Sequence, residues 1–296
     1  LFQIDQLEGE ILITLTELER KINCLKDETD YLALDIRIAY STCMNRYMMI
    51  LFMQDRILDA TGIFERYIKY NNNIPISLYS YKYNSMIGEW LLDYARGISY
   101  VCPLCAEIYY KRSIKLLENG KNEKRYILAK MDFAFLQCVY FEKFDEIETI
   151  HNLTIDLQRE NYINEYFRGF LRENLCKLVQ YFKNPGIANS KGIKAIAQKM
   201  KEEALSIELD SMLYISGRLA YQTGMYFSAL DTIIQDFVEA KKYLERNLNM
   251  VSKAGGSFTN IALHNLRYYK QIQNIEWGNM EGGYSPHSFI LDPRIW

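Results

Sequence analysis

The chain has 296 residues, 49% of them hydrophobic and 24% charged, an ordinary globular composition with enough apolar surface for one or two sizeable cores. Its 35 Lys and Arg nearly balance its 37 Asp and Glu, so no net basic field holds a phosphate backbone, and nucleic acid is expected as a partner only through a domain outside this chain. The longest apolar block, Tyr47–Met53, falls far below the roughly 20 residues of a membrane span, which excludes a membrane partner of that kind.

Only 5 Pro and 15 Gly interrupt the chain, and so few breakers over this length predict an all-helical protein. Ile4, Leu7, Ile11, Leu15, Leu18, Ile22 and Leu25 recur at spacings of three and four, which predicts an amphipathic helix over residues 4–26 with a narrow apolar seam. Such a seam serves either a neighbouring helix or a connecting and dimerising role, so a homodimer is one expectation. Helix ends are predicted at Lys26–Asp30, Asn71–Pro75, Glu118–Asn122, Asn184–Gly186 and Lys253–Ser257. Between them the apolar period is helical; Leu128, Met131, Phe135 and Cys138, for example, share one face. No alternating run bounded by hairpin turns is present, so no sheet is expected. Short connections between helices give antiparallel neighbours, hence a series of helical hairpins.

Six cysteines at 24, 43, 102, 105, 138 and 176 form no disulfide framework and read as reduced, mostly core thiols of a cytoplasmic protein. Cys102-Pro103-Leu104-Cys105 is the only C-x-x-C. A structural zinc site needs a second close pair of ligands, and none exists. A thioredoxin-type centre needs a βαβ setting, whereas these flanks are helical. The motif therefore reads as the start of a helix at Pro103, whose missing N–H is harmless there. His151, His264 and His287 share no helical register, and no metalloprotease, nucleophile-elbow or phosphate-loop motif occurs. No metal, cofactor or catalytic residue is expected, and the chain is read as a non-enzyme. Gly255-Gly256-Ser257 is expected to be a loop with Ser257 as N-cap of a helix near 258–273. Asp145, Glu146 and Glu148 are expected at a solvated helix start, where negative charge suits the dipole.

The stretch Leu213–Leu230, LYISGRLAYQTGMYFSAL, resembles the tetratricopeptide repeat. Gly217 falls at the small residue of that family's first helix, Gly224 at the inter-helix turn, Tyr226 at the following aromatic and Ala229 at the small residue of the second helix. Asp236 departs from the pattern, and no Pro closes the unit. Ala106, Tyr110 and Ser113 fit the small, aromatic, small offsets of a second helix; Phe144 with Ile147, Ala197 with Ala204, and Ala60 with Phe64 are looser copies. The resemblance implies an all-α, right-handed α-solenoid of degenerate tetratricopeptide-like helical hairpins, with N-terminal helices at 1–54, repeats at 55–275 and an extended tail at 276–296. That tail, with Phe289, Ile290, Leu291, Ile295 and Trp296, is expected to dock on the solenoid or on a neighbouring chain, the alternative being a disordered tail.

Repeats of this kind bind extended peptides on a concave face. The residues the resemblance places there are Tyr214, Arg218, Tyr221 and Gln222, with Asp132 and Tyr140 from an earlier unit, types suited to clamping backbone amides and a charged terminus. The expected function is a peptide- or protein-binding sensor or scaffold of a regulatory protein. Cytosolic receptors for signalling peptides in Gram-positive bacteria are built in a similar way. The alternative is the C-terminal sensor or oligomerisation arm of a multidomain NTPase or other enzyme; a chain that begins Leu1-Phe2-Gln3 is expected to be an excerpt of a longer protein.

Overall fold

A computed structural model describes residues 4–24, 31–72, 81–118, 123–183, 190–215, 217–253, 265–266, 268–270 and 272–273. It divides into two compact units, an N-terminal one made chiefly of residues 2–133 and a C-terminal one made chiefly of residues 134–254. Both are all-α, no strand is found among the described residues, and consecutive helices pack on one another as in a helical-repeat solenoid.

The N-terminal unit contains α1 (Ile4–Asn23), α2 (Tyr31–Met53), α3 (Ile57–Asn72), α4 (Tyr81–Ile98), α5 (Pro103–Glu118) and the first part of α6 (Glu123–Phe141). The seam of α1 packs on α2, and Leu7, Ile11, Leu15, Leu18 and Ile22 are each partly buried. Glu8 locks this contact by accepting hydrogen bonds from Gln54 Nε2 at 2.9 Å and Arg56 Nη1 at 2.9 Å. In the core, Trp90 stacks on Tyr67 with centroids 3.6 Å apart, and Phe64 stacks on Tyr94 at the same separation. The Trp90 indole N–H donates to the Ser41 carbonyl at 3.1 Å, so its one polar atom is satisfied inside the core. Helices α4 and α5 form the closest-packed hairpin of this unit. Ala106, Tyr110 and Ser113, at the offsets the sequence marked, make its buried stripe together with Leu117. The Ser113 hydroxyl donates to the Gly88 carbonyl at 2.6 Å, which joins the two backbones without a bulky side chain between them.

The C-terminal unit contains the rest of α6, α7 (Glu146–Arg159), α8 (Ile163–Lys183), α9 (Ser190–Ser206), a 3-10 segment (Leu209–Tyr214), α10 (Arg218–Ile234) and α11 (Phe237–Lys253). Helix α10 lies at its centre, buried at every residue from Leu219 to Ile233. It packs against α8, α9, α11 and the 3-10 segment, with Tyr268 and Ile272 completing the same core. A helix covered on all sides must hold its polar groups internally. Thr223 and Thr232 accordingly donate to carbonyls four residues back, at 2.9 and 2.8 Å, and Ser228 donates to the Ala240 carbonyl of α11 at 3.0 Å.

Two expected features are corrected. Gly224 is not an inter-helix turn: it sits inside the unbroken α10. The physical reason is on the facing helix. A Cβ at Gly224 would lie 2.4 Å from Arg246 Nη2 and 2.5 Å from Asn247 Oδ1, so the residue is small because α11 side chains approach the backbone. The actual turn is at Gln235-Asp236, where Gln235 takes the left-handed conformation (φ 69°) and Asp236 Oδ1 accepts the Glu239 N–H at 3.2 Å. Gly217, read as a helical position, instead precedes α10 with φ 113°, a conformation that favours glycine. The tail 276–296 and the Gly255–Ser257 loop lie outside the described residues.

Candidate functional site

The six residues expected to line a groove occupy different settings. Tyr214 ends the 3-10 segment with 89% of its surface exposed, and Ile215 beside it is 41% exposed. Arg218 is also exposed, at the first position of α10. Tyr221 and Gln222 follow on the buried length of α10, at 9% and 6% exposure. Tyr140 is partly buried on α6 in the C-terminal unit, and Asp132 belongs to the N-terminal unit. The accessible part of the expected surface is thus Tyr214 with Arg218.

That exposed corner is anchored from below. Leu209 and Met212 of the 3-10 segment are buried in the core. The Arg246 guanidinium donates through Nη1 to the Leu213 carbonyl and through Nη2 to the Ala220 carbonyl at 2.8 Å. Burial lowers the pKa of Arg246 from its usual value, with Tyr243 and Tyr214 opposing that shift. Its hydrogen bonds tie the segment before α10 to α10 itself, so Tyr214 projects from a fixed backbone.

Asp132 has a structural setting. Arg96 donates through Nε to Asp132 Oδ2 and through Nη1 to Asp93 Oδ1 at 3.1 Å, while Asn45 donates to Asp93 Oδ2 at 3.0 Å. Burial alone would lower the Arg96 pKa, but the charges of Asp132 and Asp93 outweigh it and leave the guanidinium more firmly protonated than usual. In the C-terminal unit, Lys201 Nζ meets Asp231 Oδ1 at 2.5 Å between α9 and α10. Burial raises the Asp231 pKa, and Lys201 offsets only part of that shift. Glu173 accepts from Lys177 at 2.6 Å and lies 3.1 Å from His151 Nδ1, tying α7 to α8. Among the described residues no group of three or more His, Cys, Asp or Glu side chains converges as a metal site. No described helix is long and apolar enough to cross a membrane.

The cysteine pair departs from the expectation of reduced thiols. Pro103 does begin α5, but Cys102 and Cys105 are joined by a disulfide, with Cα atoms 5.3 Å apart. The reason is geometric: Cys102 sits just before α5 and Cys105 in its first turn, and their Cα separation is within bridging range. Cys24 and Cys43 remain free thiols, as do the buried Cys138 and Cys176. No family model matches the chain, and no curated protein or solved structure matches it either.

Proposed function

We propose that the chain is a helical-repeat module that binds an extended peptide or protein segment and serves as the sensor or scaffold of a regulatory protein. The observation that carries this reading is the anchored, exposed corner at Tyr214 and Arg218. A large aromatic at 89% exposure on a backbone held by Arg246 loses little conformational entropy when a partner covers it. An aromatic and a guanidinium are also the side chains that most often dominate binding energy. Arg218 would receive the carboxylate of a peptide terminus or acidic side chain, a charge-assisted contact, while Tyr214 packs on the adjoining chain.

The test is a thermal-shift screen of the full chain against peptides with free and amidated C-termini, followed by Kd measurement for the best ligand. Arg218→Ala and Tyr214→Ala are expected to weaken binding about tenfold each, with Tyr214→Ala leaving the melting temperature of the unliganded chain unchanged. A screen without any shift, or binding unaffected by both substitutions, would refute the reading.

A further inference from the structure

We propose that Cys102–Cys105 is a reversible dithiol–disulfide couple, open to exchange with an external dithiol, with Cys105 the sulfur attacked and Cys102 the thiolate that leaves. The pair sits at the joint of the α4–α5 hairpin. Cys102 closes the end of α4, its N–H donating to the Ile98 carbonyl at 2.8 Å, and opens α5, its carbonyl accepting the Ala106 N–H at 2.9 Å. Its sulfur accepts the backbone N–H of Cys105 at 3.3 Å. Negative charge developing on that sulfur therefore falls at the positive end of α5, with an N–H already directed at it, which makes Cys102 the better leaving group. Cys105 is the exposed member of the pair and Cys102 the half-buried one, so the accessible sulfur and the poorer leaving group coincide on Cys105.

The exchange balances as follows. A thiolate of the external dithiol attacks Cys105 Sγ; the S–S bond to Cys102 breaks and a mixed disulfide forms at Cys105. The second thiol of the reductant, deprotonated, then attacks its own sulfur in that mixed disulfide and releases Cys105. The chain gains two electrons and two protons, and the partner leaves as its disulfide. The reverse sequence oxidises the pair with a partner disulfide as acceptor. Around the bridge, Val101, Leu104 and Ile108 are 55%, 66% and 59% exposed. They adjoin the bridge in sequence, so an incoming dithiol meets exposed apolar side chains beside it. Cys138 and Cys176 are buried, and burial holds the Cys176 thiol well above its usual pKa, so the same reagent leaves them alone.

The test uses the folded full chain equilibrated with defined ratios of reduced and oxidised dithiothreitol, acid-quenched, alkylated and read by peptide mass spectrometry. Residues 102 and 105 are expected to pass together from disulfide to doubly alkylated in one two-electron step, while 138 and 176 stay unlabelled. In Cys105→Ser, the pH midpoint for alkylating Cys102 is expected about one unit below that of Cys105 in Cys102→Ser. Free thiols at both positions in the oxidising buffer, reduction only after denaturant is added, or equal midpoints in the two variants would each overturn the proposal. Repeating the reduction with reduced thioredoxin separates the two sources of dithiol. If Leu104→Ser slows thioredoxin about tenfold but not dithiothreitol, a protein surface is the partner; if it slows neither, a small dithiol is. Both of these outcomes uphold the exchange chemistry.

Discussion

Replacing Gly224 with Ala sets two effects of opposite sign against each other. Helix propensity favours Ala by about 1 kcal/mol in a helix interior. The added Cβ, however, would lie 2.4 Å from Arg246 Nη2 and 2.5 Å from Asn247 Oδ1. Neither side chain can swing away freely. Arg246 Nη2 is bonded to the Ala220 carbonyl at 2.8 Å and to Asn247 Oδ1 at 2.9 Å, and Asn247 Nδ2 donates to the Tyr221 carbonyl at 3.1 Å. Asn247 is fully buried, so its amide has no water to turn to. Displacing both groups costs about 1–3 kcal/mol each as buried polar partners are lost. Allowing for the propensity gain, Gly224→Ala is expected to destabilise by about 2 kcal/mol, measured as the urea midpoint at unchanged m value. In an Asn247→Ala background one of the two clashes disappears and Arg246 Nη2 is released from Asn247 Oδ1, so the same substitution is expected to cost less than half as much. A stabilised Gly224→Ala, or an equal loss in both backgrounds, would refute the close-approach explanation.

Two further predictions concern buried charge. Asp132→Ala leaves Arg96 with part of its counter-charge removed at a buried site, and is expected to lower stability by about 3–5 kcal/mol; a loss under about 1 kcal/mol in denaturant unfolding would show that the pair is not structural. Asp231 has a folded pKa raised above its unfolded value near 3.8, by burial first. The folded state then binds the proton more tightly than the unfolded chain, so this group's contribution falls as pH rises from 3.8 through the folded value and recovers on acidification. Asp231→Asn removes that dependence. The melting-temperature difference, variant minus wild type, is expected to be more positive at pH 7.5 than at pH 4.5; the opposite trend would mean that Lys201 compensates the buried carboxylate fully.

The helical class and many of the core positions were legible because helical burial leaves a period in the sequence. Ala60, Phe64, Ala106, Tyr110, Ser113, Ala197 and Ala204, all noted for their spacing, are all buried. Helix ends next to polar breaks were legible too: α1, α3, α5, α8 and α11 end at Asn23, Asn72, Glu118, Lys183 and Lys253, at or just before the expected breaks. The starts of α5 at Pro103 and of α7 at Glu146 were legible as well, but most of the other joints were not. Asp55, Glu142, Asn161, Glu208 and Gln235 take positive φ without being glycine, so apart from the one at Asn161 the turns they make carry no breaker signal. These left-handed residues close helices whose ends are fixed by packing of the helices on either side, and propensity alone does not reveal that.

The candidate site was harder to read for a reason of the same kind. A small residue in a helical pattern reports that another backbone or side chain comes close, but not from which direction. Gly224, Tyr226 and Ala229 satisfy the second half of a helix-turn-helix spacing and equally a single buried helix that starts after Gly217. The discriminating signal lay downstream, in Asp236-Phe237-Val238-Glu239, an acidic N-cap followed three residues later by Glu. It places a helix start at 237, which leaves no room for a second helix beginning at Tyr226 to run its usual length. Once α10 is one helix, Tyr221 and Gln222 belong to its buried middle, while Tyr214 and Arg218, ahead of its buried length, stay exposed. The Cys102–Cys105 pair follows the same logic. Pro103 marked the helix start, and a start at 103 already places Cys102 at the cap with Cys105 one turn along, where the two sulfurs meet.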